Sequence, residues 1–199
     1  MARPRKFDID EALSQAMHLF WERGYEGVSL TDLSSAMNIN KPSLYAAFGD
    51  KEQLFRRAVE LYDTSTGLPA EQALAEAATA REAIERVLRL NAADYTADGR
   101  PAGCMIVLAA TLGQVENERV RSFLARCRAN GEEALRRRIE RGKAAGELGA
   151  NVDAAALAKF YTTVLQGMSI QARDGAGRET LDEVVDAAMA AWPGKASQP

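Results

Sequence analysis

The sequence predicts an all-α protein, with an N-terminal three-helix helix-turn-helix domain and a C-terminal helical bundle, about nine helices in all. Three observations lead there. Of 199 residues, 37 are Ala while only 15 are Gly and 6 are Pro, a balance that favours the helix, where Ala costs least. Apolar residues recur at three- and four-residue spacing through most of the chain, and no stretch alternates as a strand would. Cap and stop residues punctuate the first fifty positions at short intervals. An apolar share of 47% beside 27% charged residues belongs to a folded chain and excludes a disordered one.

From Asp8 to Arg23, the residues Leu13, Ala16, Met17, Phe20 and Trp21 share one helical face, and Gly24 stops the helix. Ser29-Leu30-Thr31-Asp32 reads as a capping box with Asp in place of Glu, opening a short second helix from about Leu30 to Met37. Asn38-Ile39-Asn40 interrupts it. Asn40 then caps a third helix that holds Pro42 in its first turn, carries Leu44, Tyr45 and Phe48, and ends at Gly49. Asp50 caps a fourth, whose face is Leu54, Phe55, Ala58, Val59 and Tyr62. Two short helices joined by three residues and flanked by longer ones are the layout of a helix-turn-helix, with the short third helix as reader. Leu44 and Phe48 would anchor it to the first helix, leaving Lys41, Ser43 and Tyr45 around the outside.

Residues 63–69, which include Ser65, Thr66 and Gly67, read as a linker or a helix end. Helical spacing resumes in five further segments: Ile84 to Tyr95, the uncharged run Ala102 to Gly113, Val120 to Leu135, Leu157 to Met168, and Leu181 to Trp192. Breaks are expected at 98–101, 146–151 and 174–177. The uncharged run is too short for the roughly 18 to 20 residues that span a bilayer and reads as a buried helix. The basic start, Met1 to Lys6, is followed by Asp8, Asp10 and Glu11, unlike a secretory signal. Two cysteines build no disulfide framework, so the expectation is a soluble cytoplasmic protein with no membrane partner.

A net charge of -3 argues at first against nucleic acid. Its distribution says otherwise. Residues 1–57 hold 8 basic and 8 acidic side chains, and residues 58–199 hold 17 and 20, so the whole deficit lies in the second part. Arg3, Arg5 and Lys6 form a basic arm that either enters a minor groove or frays. The second basic run, Arg136 to Arg138 with Arg141 and Lys143, follows Glu132 and Glu133 at i,i+4 spacing and reads as solvated pairing rather than a DNA contact.

The stretch from Leu19 to Leu33, followed by Ala36, Ile39, Lys41-Pro42-Ser43-Leu44-Tyr45, Phe48, Lys51-Glu52 and Leu54-Phe55, closely resembles the DNA-binding domain of TetR-family transcriptional regulators. That resemblance implies a homodimer that binds a palindromic double-stranded DNA operator and releases it when a small molecule enters the C-terminal domain. It divides the chain into residues 1–50, the DNA-binding domain, and 51–199, a linking helix with a ligand-binding and dimerisation domain. Thr31 and Lys51 would meet phosphate at helix starts, and Lys41, Pro42 and Ser43 would face the major groove. Tyr45 matches a family tyrosine that contacts the DNA backbone, or else is core. The last two helices, with Ala187, Ala188, Ala190 and Ala191, would pair with their copies in a four-helix dimer interface.

Candidates for the effector pocket are Cys104, Met105, Leu108, Phe123, Cys127, Tyr161, Leu165 and Met168, a set that suggests a small, largely apolar ligand. Catalysis has no constellation. His18, the single histidine, has no nucleophile or carboxylate at a useful spacing, no glycine loop cradles phosphate, and no metal or cofactor is called for. The rival to a ligand-released repressor is a cysteine-based redox sensor or small-molecule sensor acting through a protein partner, with Cys104 or Cys127 as the thiol.

Overall fold

Ser29 accepts a hydrogen bond from the Asp32 amide while the Asp32 carboxylate accepts from the Ser29 amide at 2.8 Å, so the second helix starts where the sequence places it. The computed structural model describes residues 7–109 and 117–194, and among them there are ten helices and no strand. The basic arm Arg3, Arg5 and Lys6 lies outside the described residues.

Helix α1 (Ile9–Arg23) is capped by Asp8 and closed by Gly24, and it packs along α4 (Lys51–Thr66). Between them sit α2 (Leu30–Ala36) and α3 (Lys41–Phe48). The turn joining them places Asn38 in the left-handed region at φ 51, and the Ser34 hydroxyl donates to the Ile39 carbonyl at 2.7 Å. Asn40 and Asp50 cap α3 and α4, the latter in a second capping box with Gln53. Phe20, Trp21, Tyr25, Phe55 and Tyr62 form a nest of edge and stacked ring contacts in this core. Leu44 and Phe48 are buried in the same core, but α3 rests chiefly on α2 and α4, and Phe48 meets the chain before α1 through Phe7.

Residues 63–69 are a helix end, as one of the two readings has it, and not a linker. The hydroxyls of Thr64, Ser65 and Thr66 donate back to carbonyls of their own helix, α4 runs to Thr66, and α5 (Leu68–Glu76) begins at once with Pro69 in its first turn. This α5 is the helix beyond the nine expected. It folds back on α6 (Ala80–Tyr95), and the chain then breaks at 98–101, as expected.

The uncharged run is not one buried helix either. Its described part is the single turn α7 (Met105–Leu108), of which Met105 alone is buried. Gly103 precedes it at φ +76, pressed so closely on Ser169 that a Cβ would stand 2.5 Å from that residue's carbonyl oxygen. The remainder, Ala110 to Gly113, lies outside the described residues. Helices α8 (Glu118–Ala144), α9 (Ala154–Arg173) and α10 (Arg178–Ala190) complete the body, separated by the breaks expected at 146–151 and 174–177.

The second basic run is only partly a solvated face. Arg136 pairs with Glu133 at 2.7 Å and Arg137 approaches the same carboxylate at 3.6 Å. Arg138, by contrast, is buried and donates to the Ala77 carbonyl, while Arg141 donates to Leu74 and Ala75. Both thereby hold the end of α5 against α8.

Candidate nucleic-acid interface

The outer face of α3 is built by what its inner face must do. Leu44 and Phe48 are 0% and 3% exposed, which turns Lys41, Pro42, Tyr45 and Ala46 outward, with Tyr45 at 49%. Ser43 is half-buried, and its amide donates to the Asn40 side chain at 2.8 Å. Thr31 is exposed in the first turn of α2. Arg57, absent from the sequence-based candidates, fixes α3 from α4: it donates to the Ala47 carbonyl at 3.0 Å and its guanidinium lies 4.8 Å above the Phe48 ring. Gly49, at φ +76, leaves the space that Gln53 needs to complete the α4 cap.

Lys51 is neither free nor fully exposed. Its Nζ sits 4.3 Å from the centre of the Tyr25 ring, and burial pushes its ammonium below the usual lysine value despite nearby Glu26 and Asp32. That contact ties the start of α4 to Tyr25, in the turn between α1 and α2. Thr31, Lys41, Pro42 and Tyr45 are exposed and Lys51 is half-buried, and they lie in the first turns of α2 and α4 and along α3.

A cavity of about 540 Å³ opens in the body between α4, α5, α6, α8 and α9. Of the eight pocket candidates, Cys104, Cys127 and Leu165 line it. Met105, Tyr161 and Met168 are buried core instead, Phe123 lies under the Arg56 guanidinium, and Leu108 packs near Gly103. The lining is mostly apolar surface, with Leu74, Val87 and Leu135 among it, and Asp63, Glu71, Asn91, Arg128, Glu132 and Gln166 supply its polar part. Residues far apart in sequence supply these groups, so no local spacing announces them. Burial raises the thiol of Cys104, whose Sγ bonds with the Tyr62 hydroxyl, and also that of Cys127.

Between cavity and interface runs a short chain of contacts. The Cys104 amide donates to Ser169 Oγ at 2.8 Å, and the Trp21 indole Nε1 donates to the Gly103 carbonyl at 2.9 Å. Arg173 of α9 donates to the carbonyls of Trp21 at 2.7 Å and Glu22 at 3.2 Å, closing the end of α1. The Tyr25 amide donates to the Ala109 carbonyl at 2.8 Å.

A helix-turn-helix with an exposed reading helix, joined by hydrogen bonds to a helical body with a ligand-sized cavity, defines a DNA-binding regulator. Residues 12–58 match the family model described as bacterial regulatory proteins, tetR family, and residues 83–188 match the tetracyclin repressor-like C-terminal domain. The chain belongs to the TetR family. It is 34% identical over 192 residues to the HTH-type transcriptional repressor ComR of Escherichia coli K12, covering 96% of this chain and 91% of ComR. The HTH-type transcriptional repressor BdcR of the same strain is 31% identical over 181 residues, 90% of this chain and 86% of BdcR. Among solved structures, a cysteine-substituted TetR family transcriptional regulator CifR, complexed with 26-bp double-strand operator DNA, superposes at a TM-score of 0.93 with 48% identity, covering 96% of this chain and 100% of CifR. No helix among the described residues is long and apolar enough to cross a membrane.

Proposed function

We propose that this chain is a homodimeric cytoplasmic repressor that holds a palindromic operator through α2, α3 and the start of α4, and releases it when a small molecule occupies the body cavity. On this reading residues 1–50 are the DNA-binding domain, and residues 51–199 are the linking helix with the ligand-binding and dimerisation domain. The observation that carries it is the division of α3 into a buried Leu44/Phe48 side and an exposed Lys41, Pro42 and Tyr45 side. Lys41 donates to a guanine edge or a phosphate, Ser43 to either, and Thr31, Tyr45 and Lys51 position the module on phosphates.

Support for the dimer comes from α9 and α10. Ala156, Phe160, Thr163, Gly167 and Ile170 form an exposed stripe at alternating four- and three-residue spacing, and Val184, Ala187 and Ala191 form another on α10. Two such helices paired with their copies set the two α3 helices about 34 to 36 Å apart, one turn of DNA. A ligand that prefers another spacing weakens binding by its differential affinity, and about 1 to 3 kcal/mol of coupling changes affinity roughly 5- to 150-fold. The contacts through Ser169, Gly103, Trp21 and Arg173 offer the route. No catalysis is needed. Thiol sensing through Cys104 or Cys127 has less support, because burial disfavours the thiolate that reacts.

Selection of bound sites from random duplex DNA tests the reading. The expected product is a palindrome with half-sites one turn apart, bound with a marked salt dependence and weakened at least tenfold by Lys41→Ala or Tyr45→Ala. Binding no tighter than to random duplex at physiological salt overturns it.

A further inference from the structure

Two glycines stand on the inward side of α8, and only one of them has a reason within the chain. The buried stripe of that helix runs through Val120, Leu124, Leu135, Arg138 and Gly142. Gly131 belongs to the same stripe by spacing, seven residues after Leu124 and four before Leu135. At Gly142 a Cβ would stand 2.6 Å from the Ala80 Cβ, so the start of α6 already fills the space of a side chain. At Gly131, among the described residues, a Cβ would meet nothing within 4 Å.

Gly131 is exposed despite its inward position because it faces the cavity of about 540 Å³ that it lines. The stripe is open on that stretch of α8: Cys127 and Arg128, between Leu124 and Leu135, are half-buried and line the same cavity. Other helices are open there too. Asn91 of α6 and Leu165 of α9 are half-buried in the lining, although Val87 and Tyr95, and Tyr161 and Ser169, one turn to either side, are buried. A glycine inside a helix is less stable than an alanine, because it surrenders more backbone freedom on folding. Neither a positive φ nor a close neighbour calls for one at Gly131. Bare backbone on the inward face is useful there once something from outside the chain packs on it.

The charges of the lining choose no sign for that guest. Asp63 and Glu71 stand at exposed positions, Arg128 donates to the Ile106 carbonyl and keeps its charge, and Glu132 and Arg137 are held by Lys159 and Glu133. After burial, Asp63 raises the Cys127 thiol while Arg126 and Arg128 lower it, so opposite charges act on one point of the wall. A charged guest would surrender its hydration to a mostly apolar surface without a dedicated partner.

We propose that the effector is an uncharged, largely apolar molecule seated directly on the backbone of α8 at Gly131, and that this glycine sets which molecules fit. This rests on the reading of the chain as an effector-released regulator. A methyl group at position 131 would push such a molecule off its seat, and a longer side chain would take the seat itself.

Calorimetric titration of the full-length protein with 2-naphthol, 2-naphthoate and the 2-naphthylmethylammonium ion, which share one apolar body, tests the charge. 2-Naphthol is expected to bind roughly tenfold tighter or more than either ion. Gly131→Ala should raise the melting temperature of the free protein, as alanine does in place of a helical glycine, and yet weaken 2-naphthol roughly tenfold. Gly131→Leu should abolish its binding. A glycine kept for the fold itself would give the opposite sign, a melting temperature lowered by Gly131→Ala, and that result overturns the proposal. So does equal or tighter binding of either ion, no 2-naphthol binding at millimolar concentration, or binding that Gly131→Leu leaves unchanged. Release of operator DNA by 2-naphthol is a separate readout. Binding that Gly131→Leu abolishes, without release, would remove the regulator reading and leave the seat on α8.

Discussion

Each of α1 to α4 begins on a side chain that accepts from its own first turn, through Asp8, Ser29, Asn40 and Asp50, whereas among α5 to α10 only α6 and α9 do so, through Thr79 and Asp153. The cores differ in the same direction. Around α1 and α4, Phe20, Tyr25 and Phe55 touch one another and Trp21 meets Tyr62, while around α6, α8 and α9 the buried residues are mainly Ala, Leu and Val, with a cavity among them. Two of the body's helix ends are also held from far along the chain. Glu147 accepts from the Ala80 amide at the start of α6, and Arg138 and Arg141 hold the end of α5. The DNA-facing module is thus specified chiefly by local caps, and the body more by distant contacts, with a cavity left among them. That suits a molecule whose interface must keep its shape while its sensor yields.

Truncating the aromatic nest should expose this difference most strongly. Phe20 is 0% exposed, stacks on Tyr25 at 6.1 Å and meets Phe55 edge-on at 5.0 Å. Phe20→Ala is expected to cost about 3 to 5 kcal/mol, read from urea unfolding followed by circular dichroism. Leu135→Ala, beside the existing cavity, should fall near 2 kcal/mol, the low end of the range for such truncations, because the space it opens joins space already there. Equal costs would break the comparison.

The contrast also explains what could be read from the sequence. The starts of α1 to α4, the ends of α1 and α3, the turn at Asn38 and the burial of Leu44 and Phe48 follow from caps, stop glycines and spacing within a few residues. Helix α5 was hidden because Pro69 and the hydroxyl run of Thr64 to Thr66 resemble a break until those hydroxyls are seen to bond within α4. The cavity lining was hidden for a different reason: Asp63, Asn91, Arg128 and Thr162 come from four helices, and only their packing brings them together. Lys51 on the Tyr25 ring and Arg57 on α3 are likewise products of packing.

Next in size are changes at the distant contacts. A Cβ on Gly142 would stand 2.6 Å from the Ala80 Cβ and 3.0 Å from Glu147, the residue that caps α6. Gly142→Ala should therefore destabilise the body by about 1 to 3 kcal/mol through overpacking, lowering the melting temperature. Arg173→Met keeps the aliphatic stem but removes the two donors that close α1. It should cost about 1 to 2 kcal/mol and speed amide hydrogen exchange at the end of α1, while leaving the α2 and α3 amides as protected as before.

The smallest effect is at the second helix, and it depends on pH. The Asp32 carboxylate accepts from both the hydroxyl and the amide of Ser29, and these bonds hold it below its ordinary value of 3.8. Because the folded value is depressed, the contribution to stability is present above 3.8 and is lost as pH falls through the lower folded value. Acidification should therefore loosen the start of α2, and with it the exposed Thr31, before the aromatic nest gives way. Ser29→Ala, expected to cost about 1 kcal/mol as a lost cap, should reproduce that loosening at neutral pH. In Asp32→Asn the acid step should vanish from the α2 amide signals followed by NMR. Were it to persist there, a carboxylate other than Asp32 would be setting it, and the local capping that distinguishes this module would not extend to α2.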